Sequence, residues 1–365
     1  MRLNDLTNRY QNKLISYTRR PDKGPNITVI GGGTGLSTLL RGLKNYSHNI
    51  TAVVSVADNG GSSGLLRKDL GIIPPGDIRN CIMALADTEP LMSELMDYRF
   101  QDGSLQGQNF GNLFLAALSA VCDDNFYDAI RNFSNVLAVT GTVLPVSLTN
   151  LNISAMLSDG SVIEGESAIG SRKPMPRQRI ERIVMDPEDA PALPESLTAI
   201  RDADLVVIGP GSLYTSIVPT LLFKEVVQAI EETSGHVVYI CNLMTQPEET
   251  YQYCATDHLN AILLHAGRNS CHDFIDYCVV NNAPIPFEYL ENYAELKSEA
   301  ISCNPGSILR SGAALIQTPL ASTINGIVRH DHLALGKVVA LLAAKASEEK
   351  LERAKTKVYR NWRTL

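Results

Sequence analysis

The sequence predicts an α/β protein, three-layer and Rossmann-like, with a mostly parallel sheet and a small β-rich excursion. Three observations predict it. Strand-like apolar runs alternate with helical patterns, and several of those runs end in glycine-rich loops. One stretch alone, residues 140–185, changes to the alternating period of antiparallel strands.

In chain order, residues 1–25 are polar and end in RRPDKGP, which reads as an N-terminal appendage: a short helix and a Pro/Gly linker. Residues 26–340 read as a single nucleotide-binding domain. It opens with the buried strand Ile27–Ile30, the turn Gly31, Gly32, Gly33, Thr34, Gly35, and a helix marked by Leu36, Leu39, Leu40 and Leu43. A strand, a tight glycine turn and a helix N-terminus set free backbone N–H groups around one point, which binds phosphate. The spacing is not G-x-G-x-x-G, because position 36 is Leu36, and no Lys-Ser/Thr pair follows as in a P-loop. Such a turn also serves plain close packing of helix on strand.

A second strand, TAVVSVAD (51–58), leads into the loop Asp58, Asn59, Gly60, Gly61, Ser62, Ser63, Gly64. Asp58 stands where a ribose-binding acid would. PPGDIRN (74–80) opens a helix, and NFGNLFLAALSAV (109–121) reads as another, entered through a polar turn holding Asn109 and Asn112. The β-rich excursion carries the hairpin signal Asp159-Gly160 and then the basic SRKPMPRQRIERI (171–183). The α/β pattern returns with ADLVVI and the loop Gly209, Pro210, Gly211, Ser212, Leu213, Tyr214, Thr215, Ser216, a second candidate anion-binding turn or a Ser-capped helix start. HVVYICNLM ends in Asn242 and Thr245; NAILLHAG, VVNNAPIPFE and GAALIQTPLA supply the remaining apolar segments. Residues 341–365 read as a charged helical tail with the only tryptophan, Trp362.

Composition narrows the function. With 44% hydrophobic and 19% charged residues the chain is of ordinary globular type, and a net charge of −7 argues against a nucleic-acid-binding body. No apolar run approaches the roughly 20 residues of a membrane span, and no signal-peptide core opens the chain. Seven cysteines without a C-x-x-C pair fit free thiols in a reducing, cytoplasmic setting.

The carboxylates Asp58 and Asp77 stand nearest the expected ligand mouth, and beside phosphates such a pair could hold Mg²⁺. Asp77 could equally cap its own helix. Arg329, in the cluster Arg329–His332, is a candidate phosphate partner or a surface ion-pair member. His258, His265 and His272 recur every seven residues, but Gly267 should end the helix of the first two, so the spacing reads as structural. There is no H-E-x-x-H pair, and neither nucleophile machinery nor a hydride-transfer role is read from the sequence.

Taken in order, VIGGGTGLSTLLRGLK, VVSVADNGGSSGLLR, PPGDIRNCIMALA, FGNLFLAAL, VIGPGSLYTSIVPTLL and YICNLMTQPEET closely resemble the bacterial gluconeogenesis factor family, a branch of the superfamily that includes 2-phospho-L-lactate transferase. The resemblance covers about residues 26–340. It implies a three-layer α/β fold, a nucleotide-type ligand and a homodimer. The transferase branch moves a phosphate-containing lactyl group from a guanylyl diphosphate donor to a deazaflavin alcohol with Mg²⁺. The gluconeogenesis-factor branch has no established reaction and is associated with UDP-sugar binding, cell shape, wall synthesis and growth on gluconeogenic carbon. By that resemblance Gly31–Gly35 and Gly209–Ser212 would hold phosphates, Asp58, Asn59 and the Gly/Ser residues after them would line the cleft, and Asp77 would help hold a metal. ADNGGSSG is typical of the gluconeogenesis-factor branch.

The expectation is therefore a cytoplasmic UDP-sugar-binding regulatory protein acting with a cell-wall synthesis or regulatory partner, leaning away from enzyme. The alternatives are a Mg²⁺-dependent phosphoryl or nucleotidyl transferase using GDP, and an NAD-binding protein. Gly31–Gly35, Asp58–Ser63, Asn109, Asn112, Gly209–Ser212, Tyr214, Asn242, Thr245 and Arg329 are the expected ligand set.

Overall fold

The computed structural model describes residues 3–173, 178–324 and 326–363; Pro174–Arg177 of the basic segment lie outside the described residues. Its strands are β1 (Ile27–Gly31), β2 (Ile50–Val54), β3 (Thr142–Pro145), β4 (Asn152–Leu157), β5 (Val162–Glu164), β6 (Ile180–Asp186), β7 (Leu205–Ile208), β8 (His236–Ile240), β9 (Tyr277–Asn281), β10 (Ala314–Thr318), β11 (Ala321–Ile324) and β12 (Ile327–His330). Seven of them form one sheet in the order β10-β9-β8-β7-β1-β2-β3, and every pair in it is parallel. Strands β1 and β7 are buried along their whole length, as the unbroken apolar runs ITVIG and LVVI require when helices cover both faces. This is the Rossmann-like α/β class the sequence predicts.

The connectivity decides where a ligand can sit. From β1 the chain moves outward through β2 to β3, returns to β7 on the other side of β1, and moves outward again through β8, β9 and β10. The strand order reverses between β1 and β7, and the loops leaving these two strands diverge there. That switch point is where open parallel sheets hold ligands.

The excursion resolves into two parts. β3 is the edge strand of the main sheet, while β4, β5 and β6 form a separate antiparallel sheet in the order β5-β4-β6. The Asp159-Gly160 turn joins β4 to β5, with Gly160 at φ +82° and the Asp159 carboxylate accepting from Ser161 N–H at 3.0 Å. A two-stranded hairpin, β11–β12, turns across Gly326 (φ +78°). The strand assignment from sequence leaves this hairpin out.

The terminal helices pack together. The helix Leu3–Arg19 buries Leu6, Tyr10 and Leu14, and its Arg9 donates to Glu348 of the long helix His332–Arg363 at 2.9 Å. The long helix crosses the helix Gly33–Leu43 backbone to backbone: a Cβ on Gly42 would stand 1.8 Å from the carbonyl oxygen of His332. Two glycines, Gly42 and Gly336, make that crossing fit, and it brings β12 beside the β1 loop. Among the described residues no single helix is long and apolar enough to cross a membrane.

Candidate functional site

The β1 turn is shaped by what lies under it. Gly31 and Gly33 take φ +151° and +70°, conformations a β-carbon resists. Gly32 is extended, and its constraint is different: a Cβ there would meet the Asp77 carboxylate at 2.5 Å. Asp77 accepts a hydrogen bond from the Gly33 N–H. The helix Gly33–Leu43 starts here, and no acceptor is found among the described residues for the N–H groups of Thr34 and Gly35. These two donors, at the positive end of the helix dipole, are what an anion needs.

The β7 loop closes against the β1 loop. A Cβ on Gly35 would lie 2.8 Å from the carbonyl oxygen of Pro210, so the two turns touch through backbone. Between them opens a cleft of about 240 Å³. Gly33, Thr34 and Gly35 form one wall; Pro210, Gly211 and Ser212 form the next; Asn242 and Thr245 follow; Tyr293, Arg329 and His330 complete it. Much of the polar lining is already engaged. Asn242 Nδ2 donates to Gly211 O at 2.8 Å, Gln246 Nε2 donates to Ser212 Oγ at 2.8 Å, and Thr245 Oγ1 accepts from Glu299 N–H at 2.9 Å. These bonds fix the cleft's shape. Arg329 is exposed on β12, opposite Ser322.

The second anion-binding turn is filled from within. The buried Glu249 carboxylate accepts from Tyr214 N–H at 2.7 Å and from Thr215 Oγ1 at 2.7 Å, and also from Thr215 N–H. It takes the donors of Tyr214 and Thr215 at the C-terminal end of the loop after β7, while Gly211 and Ser212 of that loop line the cleft. Burial holds the Glu249 carboxyl above its ordinary range and these donors oppose that rise. The side chain of Tyr214 is likewise turned away from the cleft: its hydroxyl meets Tyr253 Oη at 2.9 Å and lines a separate cavity with Arg179 and Asp257. Glu249 lies inside the QPEET block, but nothing local shows that it reaches back 35 residues to Tyr214.

The loop after β2 is shorter than its glycine content suggests, because a helix begins at Gly61. Its side chains knit the site's floor. Ser62 Oγ donates to Gln108 Oε1 at 2.7 Å and accepts from Asn109 N–H, Ser63 Oγ accepts from Gly76 N–H at 3.1 Å, and Asn59 Oδ1 accepts from Ser167 N–H at 2.8 Å. Asn109 caps the helix Phe110–Val121, accepting from Asn112 N–H at 3.0 Å. Asn112 is buried, and its Oδ1 has no partner among the described residues. Neither asparagine lines the cleft.

A carboxylate cluster stands beside this floor. Asp58 accepts from Gly60 N–H at 2.9 Å. Asp77 does not cap its own helix; burial first, then the charge of Asp58, pushes it up to about 6, against the Gly33 N–H and Arg79. Glu166, brought in by the excursion, is pushed up to about 7 by burial and then by Asp58, Glu249 and Asp77. Glu166 has no sequence signal: it opens the short helix Glu166–Ser171 that follows the β4–β5 hairpin. Among the described residues no group of three His, Cys, Asp or Glu side chains converges closely enough to hold a metal ion. Asp58 and Asp77 alone suit only an ion whose remaining ligands are water and phosphate.

The heptad histidines serve the fold. His258 Nδ1 meets Cys254 O at 3.1 Å, His265 Nε2 accepts from Ile183 N–H at 2.9 Å, and a Cβ on Gly312 would touch the His272 ring.

Fold and site together place the chain in a class: parallel α/β proteins with a ligand cleft at the switch point, built on a glycine turn and a helix N-terminus. Residues 27–321 match the family described as 2-phospho-L-lactate transferase CofD, and the chain belongs to that family. It is similar to the "Putative gluconeogenesis factor" of Thermoanaerobacterium thermosulfurigenes, 49% identical over 316 residues, which span 87% of this chain and 96% of that one. It is also similar to the "Gluconeogenesis factor" of Bacillus subtilis, 44% identical over 87% of this chain and 97% of that one. The crystal structure of a Bacillus halodurans protein superposes with a TM-score of 0.82 at 41% identity, covering 87% of this chain and 99% of that chain.

Proposed function

We propose that the chain is a cytoplasmic regulatory protein that binds a nucleotide sugar of the UDP type, acts as a homodimer, and links carbon state to cell-wall synthesis and cell shape through a partner protein. The observation that carries the reading is the pair of N–H groups, Thr34 and Gly35, with no acceptor among the described residues, on one wall of a cleft whose other walls are neutral or basic. In this reading the diphosphate lies on those donors with Arg329 beside it, and base and sugar extend toward Asn242 and Tyr293. The relatives' names support the link to gluconeogenic growth. A ligand could switch such a protein only by its different affinity for two conformations.

Calorimetric titration with UDP-N-acetylglucosamine, UDP-glucose, GDP and NAD, with and without Mg²⁺, tests it. Micromolar binding of a UDP-sugar, independent of Mg²⁺ and with the ligand recovered intact, is the expected result. Binding of GDP alone, and only with Mg²⁺, or consumption of the ligand, overturns it.

One observation favours a second reading, a Mg²⁺-assisted transferase of phosphorus-containing groups. Asp58, Asp77 and Glu166 crowd negative charge beside the phosphate turn, and a divalent cation shared with the ligand's phosphates would relieve it. The family description supports that chemistry for the fold. The two readings part on pH: Mg²⁺ binding to these carboxylates releases protons and tightens as pH rises, whereas an anion alone tightens as pH falls.

A further inference from the structure

The small antiparallel sheet keeps one edge open. In β4, Leu157 N–H donates to Ser161 O and Ile153 O accepts from Gly165 N–H, so alternate residues of β4 turn their backbone polar groups toward the β5 side. The residues between them, Asn152, Ser154 and Met156, face β6 and pair with Asp186, Val184 and Arg182. Ile183 and Met185 therefore point their N–H and C=O groups away from the sheet. One of these groups is met: Ile183 N–H donates to His265 Nε2 at 2.9 Å. Met185 N–H and the carbonyls of Ile183 and Met185 have no partner among the described residues.

A groove of about 580 Å³ opens beside that edge. Ile183, Val184 and Met185 of β6 line it together with Leu221, Leu222 and Val227 of the helical segment 218–232. Its lining also carries three cations, Arg182, Lys224 and Arg268, against two acids, Glu188 and Glu231. Arg268 pairs with Glu231, whereas Arg182 and Lys224 are exposed and make no ion pair among the described residues. The groove is thus cationic on a chain of net charge −7.

We propose that this edge takes an extended, acidic segment of a partner protein as a fourth strand of the small sheet. Apolar residues at every second position of that segment lie against Leu221, Leu222 and Val227, and its carboxylates meet Arg182 and Lys224. Unmet backbone donors and acceptors along a strand edge call for another strand, whose own backbone groups complement them; a helix has none to give. A second copy pairing edge to edge would bring Arg182 and Lys224 toward their own counterparts, a like-charge arrangement that costs energy. The partner protein of the proposed function would dock here, but the inference stands independently of what the cleft binds.

The test uses the full-length protein without nucleotide. Phage-displayed random short peptides are selected on it, and the enriched peptide is synthesised with a fluorescent label for polarisation. That peptide is expected to alternate apolar residues and to carry acidic ones. N-methylation of one alternate set of its amides should weaken binding at least about tenfold, and of the other set less than about twofold, because only every second N–H of an added strand faces the edge. The variant Arg182→Glu with Lys224→Glu should bind about tenfold more weakly at an unchanged thermal midpoint. Met185→Pro, which removes one outward N–H and none toward β4, should abolish binding. If Met185→Pro does not fold, the methylated peptides and the charge variant decide. An empty selection overturns the proposal, as does an equal effect of the two methylated sets or full affinity in the charge variant. So does a chain that dimerises in sedimentation and is made monomeric by the charge variant, since a second copy then holds the edge.

Discussion

The loops leaving β1 and β7 are near twins in sequence, GGGTG and GPGS, each between a buried strand and a helical turn, and they lie against each other at the switch point. They end in opposite states. After β1, the N–H groups of Thr34 and Gly35 have no acceptor among the described residues, and both residues line the cleft. After β7, the N–H groups of Tyr214 and Thr215 are held by the Glu249 carboxylate. The difference teaches that a glycine turn at a strand end marks a place where an anion fits, and the rest of the fold decides whether that anion is a ligand or a side chain. Under the proposed function the β1 loop holds the ligand, and the β7 loop, braced by Glu249, forms the cleft's second wall.

The sharpest way to break this comparison is to remove the internal anion. Glu249→Ala leaves two backbone donors and the Thr215 hydroxyl buried without partners, and it should lower stability by about 3–5 kcal/mol in urea unfolding. Glu249→Gln keeps an acceptor of the same size and should cost about 1–2 kcal/mol. If Glu249→Ala instead unfolds like the wild type and takes up inorganic phosphate, the β7 turn is a ligand site after all.

The contact between the loops is the next target. In Gly35→Ala the new Cβ meets the Pro210 carbonyl 2.8 Å away, backbone against backbone, so neither side yields cheaply. A loss of about 1–3 kcal/mol is expected, as for overpacking. Affinity for the cleft's ligand should fall at least about tenfold, since the misplaced turn carries the donors. Gly170→Ala, where a Cβ meets nothing within 4 Å, is the control and should change neither. Unchanged affinity in Gly35→Ala, read by calorimetry, would separate the ligand from the β1 turn.

Proton linkage sharpens the comparison further, because the acids stand beside the open loop. Asp77 and Glu166 are raised to about 6 and about 7, so between pH 8 and pH 6 the folded protein takes up protons there. A phosphate on the adjacent turn raises both groups further, and binding then takes up additional protons. Affinity for an anionic ligand without metal should therefore rise as pH falls from 8 to 6, by about tenfold per pH unit for each additional proton that binding takes up. Asp77→Asn should flatten the profile. An affinity that falls over the same range would mean that the acids act through a bound cation.

What was legible in the sequence was local. Ile27–Gly35 declares strand, turn and helix within nine residues, and the buried runs at β7, β8 and β9 declare a covered parallel sheet. The Asp159-Gly160 hairpin was equally self-contained. What stayed hidden depended on distance along the chain. Asp77 under Gly32, Glu249 under Tyr214 and Glu166 beside Asp58 are pairings that only the folded sheet creates. The polar entry of the Phe110 helix shows the opposite failure: a local cap carries the same residues as a ligand loop, because both jobs need short side chains that accept from backbone N–H groups.

That ambiguity is settled by the smallest of the expected effects. Asn109 is buried, and its side chain is fully engaged: Oδ1 accepts from Asn112 N–H at 3.0 Å and Nδ2 donates to Tyr98 O at 3.2 Å. Asn109→Ala should cost about 1 kcal/mol of stability, the usual value of an N-cap, and leave ligand affinity within about twofold. The same substitution at a ligand contact would do the reverse, sparing stability and lowering affinity by about tenfold or more, the loss of one buried hydrogen bond to a charged group. Urea unfolding and calorimetry on this one variant therefore distinguish a brace from a binding residue at the floor, as Glu249→Ala does at the wall.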